Sequence, residues 1–541
     1  MSSESTATET IPSSDVETAA SATTRPVRSE VLRSICFNWG SLVIAAVVSL
    51  VLTPVMIRSL GQYYYGMWVL VMSIADQYGL LDLGMTPALS RFAGYFQGSK
   101  DRSGLDEIFS VTFLLTLLLS LAICAFSSLA AGILPSFFGI AAADRATFIR
   151  LVFLLGLTTA IAFPERMLAA YLRGIQRFDL FNAAATTALV IRAILFLVAL
   201  RLGSGIITIA IITLAMGIVS FVAHFVLIRW ADPKLQIRIA YVTVSRLKQL
   251  FGFSIYAFIA TLGSRLISRV DSIVIGRILT VSLIAPFNVA SRLTDYFAGV
   301  FAGVHGPVLS AMSELDGASK QEELRQLFIK SSRYTFLLSL FIGCLLLLNG
   351  KAFLRLWLGS TGLDVDLTYK ILVILGVCYT VNQAQLPSWT VIYARARHQL
   401  LAWLVLAEGF VNLVLSVYWG HRYGLIGIAL GTMVPAVIHH LLIIPYYALC
   451  VLGLSWRTYI VGLCRPLLAG AVFMTLFRVQ VTVPHSIGTL VLRGVFQGLT
   501  FGLITYVVAL TGLERCWVRT RFSLFVSAVH SLWRTDPGEY V

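Results

Sequence analysis

Long apolar runs separated by short polar stretches fill the chain from residue 35 to residue 511. Fourteen of these runs are long enough to cross a bilayer as helices: 35–58, 66–84, 107–133, 147–170, 179–200, 206–228, 251–276, 284–306, 329–349, 368–393, 399–419, 425–449, 458–477 and 487–511. The pattern predicts an all-α integral membrane protein of about fourteen transmembrane helices. The seventh and eighth runs are the least hydrophobic. Residues 1–34 form a Ser/Thr/Glu-rich stretch expected to be a disordered cytoplasmic tail. It lacks the basic start and apolar run of a cleavable signal peptide, so the first span is expected to serve as the insertion signal.

Landmarks recur between the two halves. Pro164, Tyr171-Leu172-Arg173 and Arg201-Leu202-Gly203 are matched by Pro387, Tyr393-Ala394-Arg395 and Arg422-Tyr423-Gly424, each about 222 residues later. An even number of spans lies between the copies, so the repeat is parallel. It predicts two pseudo-symmetric six-helix lobes, 35–230 and 248–450. Helices thirteen and fourteen follow over 458–511, with a cytoplasmic tail over 512–541. A cleft between the lobes is the natural place for a substrate.

Composition agrees with a chain that lies mostly in lipid. Of 541 residues, 58% are hydrophobic and 12% charged, half or less of the charged share of a soluble protein. The mean hydropathy is +0.84. The net charge of +15 is spread over short loops, where it acts as a topology signal and a lipid headgroup contact rather than a nucleic-acid surface. Arg91/Lys100/Arg102, Arg173/Arg177, Lys234/Arg238/Arg246/Lys248 and Arg395/Arg397 all fall on one side, which predicts that both termini are cytoplasmic. The seven cysteines are widely spaced and form no ligand pattern, so they read as small core residues.

The segment from Phe251 to Val304 carries Arg265, Arg269, Asp271, Arg292 and Asp295 across the membrane. A charge at bilayer depth costs a few kcal/mol, so such groups face a wet or paired interior. Equal distances from the turn near 277–284 set Asp271 opposite Arg292 and Arg265 opposite Asp295. Arg269 is then left without a carboxylate on this hairpin, and an unmatched guanidinium suits a diphosphate or an acidic sugar. Asp76 in the second span, Asp82 at its end and Glu408 in the eleventh are the candidates for ion coupling or charge pairing. His439 and His440 are adjacent on a helix, where neighbours point about 100° apart. They read as structural.

No catalytic signature interrupts this picture. Gly343 to Lys351 departs from a P-loop in spacing, with Ala352 where the Ser/Thr should be. No cofactor or metal is expected. With no nucleotide site, the driving force would be an ion gradient, the membrane potential or removal of product.

The first hairpin is more specific. Leu60-Gly61-Gln62-Tyr63-Tyr64-Tyr65-Gly66-Met67-Trp68 predicts a tight turn with an aromatic cluster at headgroup level. In Leu81-Asp82-Leu83-Gly84-Met85-Thr86-Pro87-Ala88-Leu89-Ser90-Arg91-Phe92, Gly84 ends a helix while Thr86 and Pro87 suit the cap and first turn of the next. These residues resemble the polysaccharide-biosynthesis flippases, the O-antigen, capsule and exopolysaccharide translocases of the multidrug/oligosaccharidyl-lipid/polysaccharide exporter superfamily. The resemblance implies transport of an undecaprenyl-diphosphate-linked oligosaccharide across the bacterial inner membrane. It also implies a central cavity lined by helices one, two, seven and eight. Here helix one has no charge between Arg33 and Arg58 and offers Asn38; Arg265, Arg269 and Arg292 are the expected basic lining. Polysaccharide polymerase machinery would be a partner, nucleic acid would not. A lipid II flippase, a cation–drug antiporter and a membrane-embedded glycan polymerase or ligase are the competing readings.

Overall fold

The computed structural model describes residues 24–243, 246, 258–395, 397–478, 484–516, 518–521 and 523, with backbone alone for 24–39, 42, 302–304 and 398. The described residues are helical, with no strand among them. Ten helices are long and apolar enough to cross a membrane. Two are hairpins and count twice. Helix α1 (Thr24–Gln77) folds back at Gly61, whose φ of 80° only glycine adopts cheaply. The expected turn between the first two spans is therefore present. The helix running His398–Ile438 folds back at Gly424 in the same way. The charged segment, expected to hold the seventh and eighth spans, contains the shorter apolar helix Phe258–Ser268, and residues 251–257 lie outside the described residues.

The end of the second span breaks as predicted. A 3-10 turn over Tyr78–Asp82 is followed by Gly84 in the left-handed region, and α2 (Met85–Gly98) restarts there. The cap differs in detail. Gly84, not Thr86, is the N-cap, and the missing side-chain acceptor is supplied by Asp82. Its carboxylate accepts from the Thr86 hydroxyl at 2.8 Å and the Thr86 amide at 3.4 Å.

The first lobe continues through α3 (Arg102–Phe137), α4 (Arg145–Gly174), α5 (Phe178–Arg201) and α6 (Ile206–Ala231). The seventh span is not one helix. It consists of α7 (Phe258–Ser268) and α8 (Asp271–Ile278), separated by a break at Arg269–Val270. The eighth span is α9 (Ile284–Gly317). The second lobe is completed by α10 (Gln321–Leu358), α11 (Val365–Ala384), α12 (Leu386–Ala394), the hairpin α13 (His398–Ile438) and α14 (Ile444–Leu452). A π-helical turn over His439–Ile443 joins the last two.

Packing shows how the lobes meet. At the end bearing the Gly61 turn, one continuous core takes Met67 and Phe148 from the first lobe and Val274, Phe287, Leu372 and Ile428 from the second. Gln62 Nε2 donates to the Gly362 carbonyl at 2.7 Å, Trp357 Nε1 to the Leu50 carbonyl at 2.7 Å, and Arg58 bonds Ser360. At the opposite end each lobe has its own core, Met85, Phe109, Tyr171 and Ile228 in one and Met312, Phe328, Val391 and Leu449 in the other. Helices joined at one end by a shared apolar core and separately packed at the other can rock about the shared end.

The last two spans, α15 (Trp456–Phe477) and α16 (Ile487–Ile504), pack against α10 through Leu337, Phe473 and Phe501. Asn349 Nδ2 donates to Gln497 Oε1 at 2.6 Å, a polar contact between helices that lipid could not supply. Arg333 is paired with Glu514.

Candidate functional site

The break in the seventh span decides where its charges point. The depth argument predicts that Asp271 faces Arg292. Instead α8 starts afresh at Asp271, which turns its buried carboxylate toward the twelfth span. There Thr432 Oγ1 donates to both oxygens, at 3.1 and 3.3 Å. Thr432 also bonds the Ile428 carbonyl. Arg265 does not meet Asp295 either. Its guanidinium lies against Gly79, where a Cβ would collide with Nη2, and donates to the Asp76 backbone carbonyl. Asp295 accepts from the Tyr379 hydroxyl at 3.1 Å.

Arg269, read from the sequence as unmatched, has a partner on another span. Its Nε lies 3.9 Å from Asp76 Oδ2, with both side chains nearly half exposed. Arg292 hydrogen-bonds neutral side chains and has Asp295 within electrostatic range. Its Nε donates to Asn288 Oδ1 at 3.0 Å and its Nη1 to Ser49 Oγ at 3.2 Å. Asn288 Oδ1 also accepts from the Tyr65 hydroxyl at 2.9 Å. Asn288 stands four residues before Arg292 and therefore on the same helix face.

These groups share one polar cavity of about 220 Å³ between the lobes, lined by Ser73, Arg269, Asp271, Asn288, Ser291, Arg292 and Asp295. Of the sequence-predicted site residues it unites Arg269, Arg292, Asp271 and Asp295. Asp76 stands beside it through Arg269. Arg265 lies farther along the second span, where Arg166 of α4 comes within electrostatic range of it and of Asp82. Asp82 is occupied as a helix cap. Asn38 lies among the residues whose side chains are not described. Glu408 is in the second lobe, away from this cavity. Sequence reasoning missed Ser49, Asn288 and Arg166. For Asn288 the signal was its i,i+4 relation to Arg292; Ser49 and Arg166 needed the tertiary fold.

A second cavity of about 250 Å³ lies inside the second lobe and touches the first at Ser268, Asp271 and Ser291. Its lining includes Asp271, Asn382, Glu408, Thr432 and His440, and no Lys or Arg. The two cavities therefore differ in character. The one between the lobes sets two arginines, whose forks suit phosphate oxygens, beside two carboxylates, while the one in the second lobe has carboxylates without a Lys or Arg.

The model of the polysaccharide biosynthesis protein family matches residues 55–365, more than half of the chain. The chain belongs to that family. The match takes in the first hairpin, the helix break at Gly84 and the whole charged segment. Among solved structures, this member of the polysaccharide biosynthesis family is similar to the lipid II flippase MurJ in an inward closed conformation. The identity is 16%, the TM-score 0.70, and the match covers 87% of this chain and 98% of that one. It is also similar to an inward-facing multidrug resistance MATE family transporter of the MOP superfamily, at 17% identity and TM-score 0.63, over 75% of this chain and 98% of that one. A MOP superfamily transporter from Pyrococcus furiosus, described as having a binding pocket of reverse polarity, aligns at 15% identity and TM-score 0.55, over 79% and 95%. At these identities the likeness is one of fold. No curated protein sequence matches the chain.

Proposed function

We propose that this family member is a flippase that carries an undecaprenyl-diphosphate-linked oligosaccharide across the bacterial inner membrane for polysaccharide export. The observation that carries the reading is the placement of Arg292, hydrogen-bonded to the neutral Asn288 and Ser49, beside Arg269 in a polar cavity between two lobes. A guanidinium with neutral partners retains its charge for an incoming anion, and its planar fork matches phosphate oxygens. The polyprenyl tail stays in lipid while the headgroup occupies the cavity. The family match and the transporter fold support the same reading.

The positive-inside distribution supports an orientation with both termini in the cytoplasm. With that orientation the shared core is the periplasmic end, and the separately packed ends open toward the cytoplasm. The headgroup enters from the cytoplasmic side, and rocking about the lobe interface exposes it outside. Arg269 and Arg292 bind the diphosphate, and Asp76 and Asp295 compete with it for those arginines. Delivery to a polysaccharide polymerase follows outside.

The test is Arg292→Ala, with surface glycan and leaflet-resolved lipid-linked intermediate measured together. The expected result is loss of surface glycan with intermediate accumulating in the cytoplasmic leaflet. Normal levels of both would sink the reading. Chain elongation by the purified protein in detergent would point instead to a polymerase or ligase.

A further inference from the structure

We infer that Glu408, His439 and His440 form a binding site for a divalent transition-metal ion of the Zn²⁺ class inside the second lobe. Adjacent histidines on a regular helix diverge by about 100° and do not share a ligand. These two begin the π-helical turn His439–Ile443, a widened segment of the kind that recurs at functional sites. Their ring centroids come within 5.0 Å of each other. Both rings address one carboxylate from the facing eleventh span. His439 Nδ1 is in hydrogen-bond contact with Glu408 Oε2, and His440 Nε2 stands 3.7 Å from Oε1. One ligand atom from each residue lies within 4.8 Å of the other two, so modest side-chain adjustment brings all three to about 2.0–2.2 Å from a common ion.

Burial supplies the second argument. Glu408 is 6% exposed and each histidine 3%. A carboxylate this deep keeps its charge only beside a compensating cation. Among the described residues no Lys or Arg bridges Glu408 or lines the adjoining cavity. The other ring nitrogens, His439 Nε2 and His440 Nδ1, are buried without a hydrogen-bond partner, which leaves the Glu408-facing nitrogens as the ligand atoms. Asn382 adjoins the cluster, its Nδ2 2.9 Å from His440 Nε2.

The donor set indicates the class of ion. Two imidazoles and one carboxylate suit Zn²⁺ and its first-row neighbours, whereas Ca²⁺ and Mg²⁺ require all-oxygen shells. Glu408, His440 and Asn382 face the 250 Å³ cavity, which leaves room for water at the open coordination positions. An ion there would tie the eleventh span to the twelfth in the lobe that also holds Asp271. The assignment rests on these residues alone and does not depend on the transport reading.

The experiment uses the full chain, purified in detergent with any affinity tag removed, stripped with chelator and titrated with Zn²⁺. The expected result is one Zn²⁺ per chain by elemental analysis. A zinc-edge absorption spectrum should show two imidazoles with lighter oxygen or nitrogen ligands. Glu408→Gln and His440→Gln should each weaken binding at least tenfold, with folding checked by gel filtration. Absence of stoichiometric Zn²⁺ in the unmodified chain, or its retention in both variants, overturns the assignment. A shift in the pH profile of transport in Glu408→Gln without any metal bound to the unmodified chain also overturns it, in favour of a proton site. Flipping can fail with zinc bound, and zinc can fail with flipping intact, so this test and that of the proposed function fall separately.

Discussion

The Arg269 guanidinium stands 3.9 Å from the Asp76 carboxylate and joins the broken seventh span to the second across the lobe interface. Neither side chain is deeply buried. Such exposed pairs are worth at most about 1 kcal/mol, so this contact can be exchanged for a ligand more readily than a buried bridge. Arg265, one turn earlier, holds the backbone carbonyl of the same Asp76. One residue of the second span is thus contacted twice by the arginines of the seventh, once through its main chain and once through its side chain.

Asp76→Asn should therefore leave the fold intact and release Arg269. Thermal unfolding in detergent is expected to change by no more than about 1 kcal/mol. Binding of a diphosphate-bearing lipid probe should tighten, by up to about fivefold, because the competing carboxylate is gone. Weaker binding in this variant would show that Asp76 contacts the ligand itself.

Asn288→Asp separates binding from stability more sharply. The new carboxylate would lie where Oδ1 now accepts from Arg292 Nε at 3.0 Å and from Tyr65 at 2.9 Å. It should form a charge-assisted pair with Arg292 and cancel the charge that the cavity offers to an anion. The expected outcome is unchanged or raised thermal stability with roughly tenfold weaker probe binding, since one charge-assisted contact is worth about 1.5–3 kcal/mol. Loss of both together would mean that Asn288 serves only the packing of spans one and eight.

Most of the architecture could be read from the sequence because hydrophobic span length and glycine turns are local properties. The Gly61 turn and the restart at Gly84 follow from residues within a few positions of each other. The charge pairing did not follow. The depth argument treated the seventh span as a continuous rod, and the break at Arg269–Val270 redirected Asp271 to Thr432. Arg269 then found Asp76 on a different span, which hairpin geometry could not reveal. The approach of the two histidine rings was not legible for a similar reason, since a regular helix was assumed where a π turn occurs.

At the opposite end of the first lobe, Asp232 couples three elements and should make stability depend on pH. Its carboxylate accepts from Arg102 Nη1 at 2.6 Å and from the Tyr171 hydroxyl. Burial opposes the charged form, but these two donors outweigh it and hold Asp232 below the usual carboxylate range. A depressed folded-state value stabilises the fold above the unfolded value, near pH 3.9, and that stability is lost as pH falls through the folded value. In thermal scans between pH 6 and pH 3, Asp232→Asn should be less stable at the upper end by about 1–3 kcal/mol. The gap should narrow toward the lower end. A gap constant with pH would assign the loss to packing.

The shared core that closes one end of the molecule rests on a backbone contact that tolerates no side chain. A Cβ on Gly66 would lie 2.1 Å from the Val281 carbonyl oxygen and 3.0 Å from its carbon. Both are main-chain atoms and neither can rotate away. Val281 belongs to the short 3-10 turn Val281–Leu283 that leads into the eighth span, so displacing it moves the second lobe relative to the first hairpin. Gly66→Ala should cost about 1–3 kcal/mol in thermal unfolding, as overpacking of a filled core does. Gly98→Ala, at a helix end with open space around it, is the control and should change stability by less than about 0.5 kcal/mol. If the lobes pivot about this contact, Gly66→Ala will also reduce transport more than its stability loss explains, because the closed end can no longer seal. Wild-type transport at a reduced melting temperature would place the pivot elsewhere.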